Sequence, residues 1–477
     1  MSARTLQAAA FWRFAEAIGG EAASFVAFTL LARLLVPEDF GAVALAASIM
    51  ALLQVVVHHG ALESLIQLPN CEPRHFRAAT AANLTLAALL VPAGAVLAWP
   101  LSLLLGRQEF VLVLCALLPM LLVRAVMTPM LAMTRRQMDF RSIALRTLVG
   151  VIAGGCVAVT LAVQGAGIWA LVAQQWTTEV VGTLMLLWRS PLKPWSAHWD
   201  RRSLEELRPV ALPVTGAHLA SGAGRRLDTF AIGLHLGDAM VGVYFMVARL
   251  VFALQMLTLN GLGEIAMVVM SKLRPVTKQP WPEVSAVLRL AAWPTFVLFG
   301  LMALVGPQLV PIVFGAAWQA AALPMALYAA LAPAGALIGL IGVSLVSAGE
   351  AKTFQRLSIL LALAQLGAIF AVARWGLMAV VIAIGATQLL GLPYALASLR
   401  RTERVAWAQV LARLGPLFGA YGLCLVPCAA ALWWRPGGVW FLGVAFAVAS
   451  AGCGLAMLRP DWALISSALA RTRSSGR

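Results

Sequence analysis

The chain has 477 residues, 61% hydrophobic and 11% charged, with a mean hydropathy of +0.88; an average soluble domain is about half apolar and about a quarter charged, so a soluble globular fold is excluded. The formal net charge of +16 would point to nucleic acid in a soluble protein, but the basic residues lie mainly in alternate loops and no aromatic-interleaved basic block is present, which excludes that partner.

Apolar stretches of about 20 residues, the length that crosses a bilayer, recur from Phe11 almost to Arg459. Backbone polar groups must be satisfied internally in lipid, so these stretches are read as helices. The runs lack period-2 alternation, which argues against a β-barrel. The expected fold class is all-α, a polytopic membrane protein of about 14 transmembrane helices.

In chain order, the first span is placed at 9–35. Its Arg13, Glu16 and Glu21 interrupt what would otherwise read as a signal peptide, so it is read as a retained helix. Spans at 40–67, 78–100, 109–133, 143–163 and 168–188 complete the first half. The second half runs 209–232, 239–265, 285–306, 320–346, 357–373, 377–398, 414–434 and 438–457.

Loop charge sets the orientation. One set of loops holds Arg74 and Arg77; Arg135, Arg136, Arg141 and Arg146; Arg189, Lys193, Arg201, Arg202 and Arg208; and comparable clusters further on, ending with Arg471, Arg473 and Arg477. The opposite set offers only Arg33, Arg107, Arg374 and Arg435. The positive-inside rule therefore places the first set and both termini in the cytoplasm, and the excess charge reports topology more than ligand.

The longest cytoplasmic loop carries Pro191, Pro194, Trp195, His198 and Trp199 and reads as a linker, 191–208, between an N-terminal lobe at 1–190 and a C-terminal lobe at 209–400; the last two helices and a cytoplasmic tail occupy 401–477. An echo between helices one and two and helices seven and eight supports two lobes. In each pair a polar first helix is followed by a short turn (Val36 to Phe40; Gly237 to Met240) and a second helix bearing Gly41 or Gly242. Even helix numbers per lobe make such repeats parallel.

Ionisable side chains inside a span cost about 2.5–3.5 kcal/mol each on insertion scales, so they face protein or water and mark function. Arg13, Glu16 and Glu21 fall within an arc of about 140° on helix one. Thr215, His218, Ser221, Arg225, Arg226, Asp228 and Thr229 fall within about 160° on helix seven. Arg124, Gln175, Glu179, Arg249 and Asn260 are candidates for the same cavity, and helix two carries His59 and Glu63 one turn apart. The competing reading makes these residues internal ion pairs that lock helices together, but mutual neutralisation does not require so many arginines. Arginine stays protonated and presents a planar fork to phosphate, so Arg13, Arg124, Arg225, Arg226 and Arg249, with His218 on the same polar wall, suit an anionic head group such as a pyrophosphate. Glu16, Glu21, Asp228 and Glu179 are then candidates for proton or ion coupling.

No catalytic constellation, metal site, disulfide framework or cofactor is expected. Five cysteines lie in apolar segments, and Cys424 and Cys428, one turn apart, have no His or carboxylate beside them. Lys352-Thr353 lacks the glycines of a phosphate-binding loop, so there is no built-in ATPase.

Leu31 to Gly41, Ala61 to Gln67, Thr134 to Arg141, Gly165 to Val172 and Asp228 to Gly237 followed by Gly242-Val-Tyr244 form an ordered set. Together they resemble the Wzx-like oligosaccharide flippases of the polysaccharide transporter family. The resemblance covers roughly residues 10 to 275 and is diffuse beyond. His58-His59-Gly60 departs from it, since an acidic residue is expected before that glycine. The resemblance implies the multidrug/oligosaccharidyl-lipid/polysaccharide exporter fold: two six-helix lobes in a V plus two extra C-terminal helices. It also implies a transporter, not an enzyme, that moves undecaprenyl-pyrophosphate-linked oligosaccharide across the bacterial inner membrane by alternating access. Lipid-linked oligosaccharide and membrane lipid are the expected partners, with polysaccharide polymerase and export machinery beside them. The alternatives are a cation-coupled multidrug exporter of the same superfamily, a membrane polysaccharide polymerase or ligase, and a structural scaffold. The arginine-rich walls disfavour the first, and the short, nearly uncharged outer loops disfavour the second.

Overall fold

The structure is a computed structural model. It describes residues 3–106, 109–255, 261–274, 280–434 and 439–475, without the side chains of 3–10, 13, 14, 104, 105, 220–227, 261, 431–434, 439, 440 and 469–475. Among the described residues every regular element is a helix. The first nine are α1 (Ala3–Leu34), α2 (Pro37–Gln67), α3 (Pro73–Leu105), α4 (Glu109–Leu117), α5 (Met120–Arg136), α6 (Phe140–Val163), α7 (Ile168–Arg189), α8 (Arg201–Leu236) and α9 (Asp238–Gln255). Then follow α10 (Gly261–Leu273), α11 (Trp281–Phe314), α12 (Ala322–Ser347), α13 (Ala351–Val372), α14 (Leu377–Glu403), α15 (Trp407–Trp434) and α16 (Val439–Ser475).

Where described, the spans predicted from the sequence are overlain by helix, apart from Leu35 at the end of the first and a break at Leu118-Pro119 in the fourth. Among the described residues, twelve helices are long and apolar enough to cross a membrane by length and composition. Helices α7 and α8 are not among the twelve, because Gln174, Gln175 and Glu179 on α7 and the many polar residues of α8 depress their apolar character.

Three local departures from the expected spans have physical causes. The fourth span is two helices, interrupted at Leu118-Pro119, where proline has no amide hydrogen to continue the ladder. Helix α8 begins at Arg201, because Asp200 accepts the amide of Arg202 at 3.2 Å and the hydroxyl of Ser203 at 2.5 Å. Helix α16 runs on well past the expected end near 457. Asp461 there is buried between Arg289 and Arg413, and Ile465 joins an apolar core, so this turn is held by tertiary contacts.

The chain forms two compact units, Met1–Phe245 and Met246–Arg477. In the first, α2 packs on α8, α5 and α4, and α6 lies against α1 and α7. Leu62, Leu65, Met127, Met130, Leu186 and Leu207 belong to one buried apolar cluster within it. The carbonyls left open at the end of α2 are capped by Arg136, whose Nη1 donates to Leu65, Ile66 and Leu68 at 3.0, 2.9 and 2.7 Å. The turn before α7 takes left-handed backbone at Gly165 and Gly167, a conformation in which a Cβ is strained. In the second unit α11 is central, packed by α12, α15 and α16, and Phe296 meets Phe418 and Tyr421 edge-on.

Candidate functional site

Charged side chains converge inside the first unit. Arg124 on α5 and Glu179 on α7 form a direct ion pair, with the two side chains 24% and 10% exposed. One helix further, Arg146 on α6 donates from Nη1 to Met127 Sδ at 2.7 Å and lies within Coulombic reach of both Arg124 and Glu16. Its neighbour Thr147 donates to Glu16 Oε1 at 3.3 Å, so α1 joins the same polar interior. Opposite charges on neighbouring helices offset part of the cost that an isolated charge would carry there.

A second cluster lies between α2 and α8. His218 Nε2 donates to Glu63 Oε1 at 3.0 Å, and the His218 ring stacks on His59 with centroids 3.9 Å apart and planes 14° apart. His58 turns away from this stack toward α5. The single hydroxyl proton of Thr128 goes to the carbonyl of Arg124 at 2.8 Å, so His58 Nδ1 is the donor in its 2.8 Å contact with Thr128 Oγ1. Further along α8, Asp228 accepts from the Tyr244 hydroxyl at 2.6 Å and from the Thr229 amide at 2.5 Å.

Of the residues singled out in the sequence, Arg124 and Glu179 are therefore partners of one another. Glu16 joins Thr147, His218 joins Glu63 and His59, and Asp228 joins Tyr244. Glu21 is exposed on α1 and Gln175 half-buried on α7. Arg249 is half-buried on α9, in the second unit. Arg13 lies on α1 and Arg225 and Arg226 on α8, with their side chains outside the described residues; Asn260 is outside them altogether. Sequence reasoning counted Arg146 with the loop arginines, although it falls inside the span placed at 143–163, and so left it out of the charged interior. The signal was present, since it lies two turns past Asp139, whose side chain caps α6 by accepting the Ser142 amide at 3.1 Å.

At the α2–α3 turn, the ring of His75 accepts the Glu72 amide at Nδ1, 2.9 Å away, and so carries its proton on Nε2, which donates to Glu206 at 2.8 Å. That hydrogen bond, helped by Arg74 and Arg202, holds the Glu206 carboxyl below the usual carboxylate range. In the same turn, burial raises the Cys71 thiol above its ordinary value.

Twelve candidate spans among the described residues, with ion pairs between helices within each unit, define an all-α, multi-pass membrane protein. The fold is similar to that of the lipid II flippase MurJ in its inward closed conformation, with a TM-score of 0.71 over 95% of this chain and 99% of that one at 11% identity. It is also similar to an inward-facing multidrug resistance MATE family transporter of the MOP superfamily, with a TM-score of 0.59 over 81% and 96% of the two chains at 16% identity. At such identities these likenesses speak for the fold.

A sequence profile described as "Polysaccharide biosynthesis protein" matches residues 30–323, and the chain belongs to that family. Among curated relatives it is 28% identical over 329 residues to the succinoglycan biosynthesis transport protein ExoT of Rhizobium meliloti (strain 1021). That alignment spans 67% of this chain and 64% of the relative's length.

Proposed function

We propose that this protein carries lipid-linked oligosaccharide, a repeat unit of an extracellular polysaccharide borne on undecaprenyl pyrophosphate, from the inner to the outer leaflet of the bacterial inner membrane. The observation that carries the reading is the family match over residues 30–323, together with a relative that is itself a polysaccharide transport protein. The charged interior of the first unit supports it, because arginines on several helices suit a substrate whose constant part is a pyrophosphate. In this reading Arg13, Arg124, Arg225, Arg226, Arg249 and His218 serve the head group, and Glu16, Glu21, Asp228 and Glu179 serve ion coupling. The lobes at 1–190 and 209–400 alternate in access, with both chain ends in the cytoplasm. Polymerase and export machinery receive the product. Neither the MurJ nor the MATE likeness assigns this substrate.

The test is the leaflet in which substrate accumulates when the gene is deleted. Lipid-linked oligosaccharide should be trapped on the cytoplasmic leaflet while the sugar-assembling enzymes remain active. Accumulation on the outer leaflet would overturn the reading and favour a polymerase or ligase. In the same assay, dissipating proton or sodium gradients should slow transport, and unaffected transport would remove the coupling role of the four carboxylates.

A further inference from the structure

We propose that His59, Glu63 and His218 form a binding site for a divalent transition-metal ion, zinc foremost, that bridges α2 and α8. The ligand atoms of these three side chains all lie within 4.8 Å of one another. His59 and Glu63 are four residues apart on α2, which places them on one face one turn apart. His218 enters from α8, a sequence separation of 155 residues from Glu63. A zinc ion holds nitrogen and oxygen donors at about 2.0–2.2 Å, so tetrahedral donors lie about 3.3–3.6 Å from one another. The His59 and His218 rings now stack 14° from parallel, so both rings turn about their side-chain torsions to point their nitrogens at one ion, with Glu63 completing the set.

The backbones are already positioned for this. A Cβ at Gly60 would collide with Thr215 Oγ1 and lie 2.9 Å from the carbonyl of Ala211, so α2 and α8 touch main chain to main chain beside the cluster. That approach is what lets His218, one turn beyond Thr215, reach Glu63. His58 packs edge-on against His59, with centroids 5.1 Å apart and planes at 74°, and fixes the first imidazole.

The donor chemistry selects the metal. Two imidazoles and one carboxylate suit zinc and neighbouring first-row ions, whereas calcium and magnesium take oxygen ligands. Three protein donors leave a fourth position for water or an anionic oxygen. The side chains of His218 and Glu63 are 39% and 35% exposed, so an ion can enter and leave. His218 Nε2 now carries the proton that it donates to Glu63; to ligate a metal through Nε2 the neutral ring carries that proton on Nδ1 instead.

The full chain, purified in detergent with any affinity tag removed and stripped by chelator, is titrated with Zn²⁺ by calorimetry and with Co²⁺ by visible absorption. One ion per chain is expected, with a tetrahedral Co²⁺ spectrum. His218→Ala, His59→Ala and Glu63→Gln should each weaken binding at least about tenfold, while His198→Ala, in the segment before α8, should leave it unchanged. Should a histidine variant fail to fold, Glu63→Gln, which keeps size and hydrogen bonding, carries the test. Absence of stoichiometric binding by the unaltered chain, or equal binding by Glu63→Gln, would overturn the site and leave a hydrogen-bonded His–Glu pair between two helices.

Discussion

Gly41 on α2 and Gly242 on α9 lie backbone to backbone in reciprocal contact. A Cβ on Gly41 would strike the carbonyl of Asp238, and a Cβ on Gly242 would strike the carbonyl of Pro37. Each glycine stands four residues after the first residue of its helix, Pro37 or Asp238, so the two turns that echo each other in the sequence also meet each other's main chain. Backbone cannot yield as a flexible side chain can.

Gly41→Ala and Gly242→Ala should therefore each destabilise the protein by about 1–3 kcal/mol or more. Gly216→Ala, on α8 with open space where the Cβ would fall, should be neutral or stabilise by about 0.5–1 kcal/mol. Thermal unfolding in detergent orders the three variants, and an unaffected Gly41→Ala would show that the helices can separate at no cost.

The pair of Arg124 and Glu179 makes a different prediction. Removing one partner of a buried pair costs about 3–5 kcal/mol because the other charge is stranded; Arg124 is a quarter exposed, which places Glu179→Ala toward or below the lower figure. The double variant Arg124→Ala with Glu179→Ala should be less damaged than the two single losses summed, with a coupling of about 1–3 kcal/mol in a double-mutant cycle. Strict additivity would mean that the two groups do not stabilise each other.

Glu206 should give the protein a measurable acid dependence. Its carboxyl is held below the ordinary range, first by the hydrogen bond from His75. A group with a depressed folded-state pKa contributes stability that is complete above its unfolded value, about 4.3, and is lost as pH falls through the lower folded value. Glu206→Gln should remove that dependence below about pH 4.3, read as amide exchange at the start of α3. An unchanged acid profile in the variant would discount the contact.

In the second unit, Asp461 is 1% exposed and receives Arg289 at 3.2 Å and Arg413 at 3.5 Å. Asp461→Ala strands a buried arginine and should cost about 3–5 kcal/mol. Arg413→Ala should cost less, since that side chain is 38% exposed and Asp461 keeps Arg289. Unfolding temperatures should fall in that order, and the reverse order would place the weight of the clamp on α15.

The spans were legible from residue order because a run of about 20 apolar residues dictates a helix in lipid through its own backbone, whatever its neighbours. The family was legible for a similar reason, since its motifs are contiguous strings such as Leu31 to Gly41 and Asp228 to Gly237. Polar helix faces could be read only coarsely: at 100° per residue Glu16 and Glu21 stand about 140° apart on α1, and Glu16 joins the polar interior while Glu21 is exposed. What residue order left open is which face meets which. The partners of Glu179, Glu63 and Asp461 come from other helices, and nothing local marks Arg124, His218 or Arg289 as those partners. The same holds for Arg136, counted among loop charges that set topology and found capping the carbonyls of α2. Periodicity orients a side chain about its own axis; the close approach of backbones at Gly41, Gly60 and Gly242 settles helix register, and with it which charges are paired.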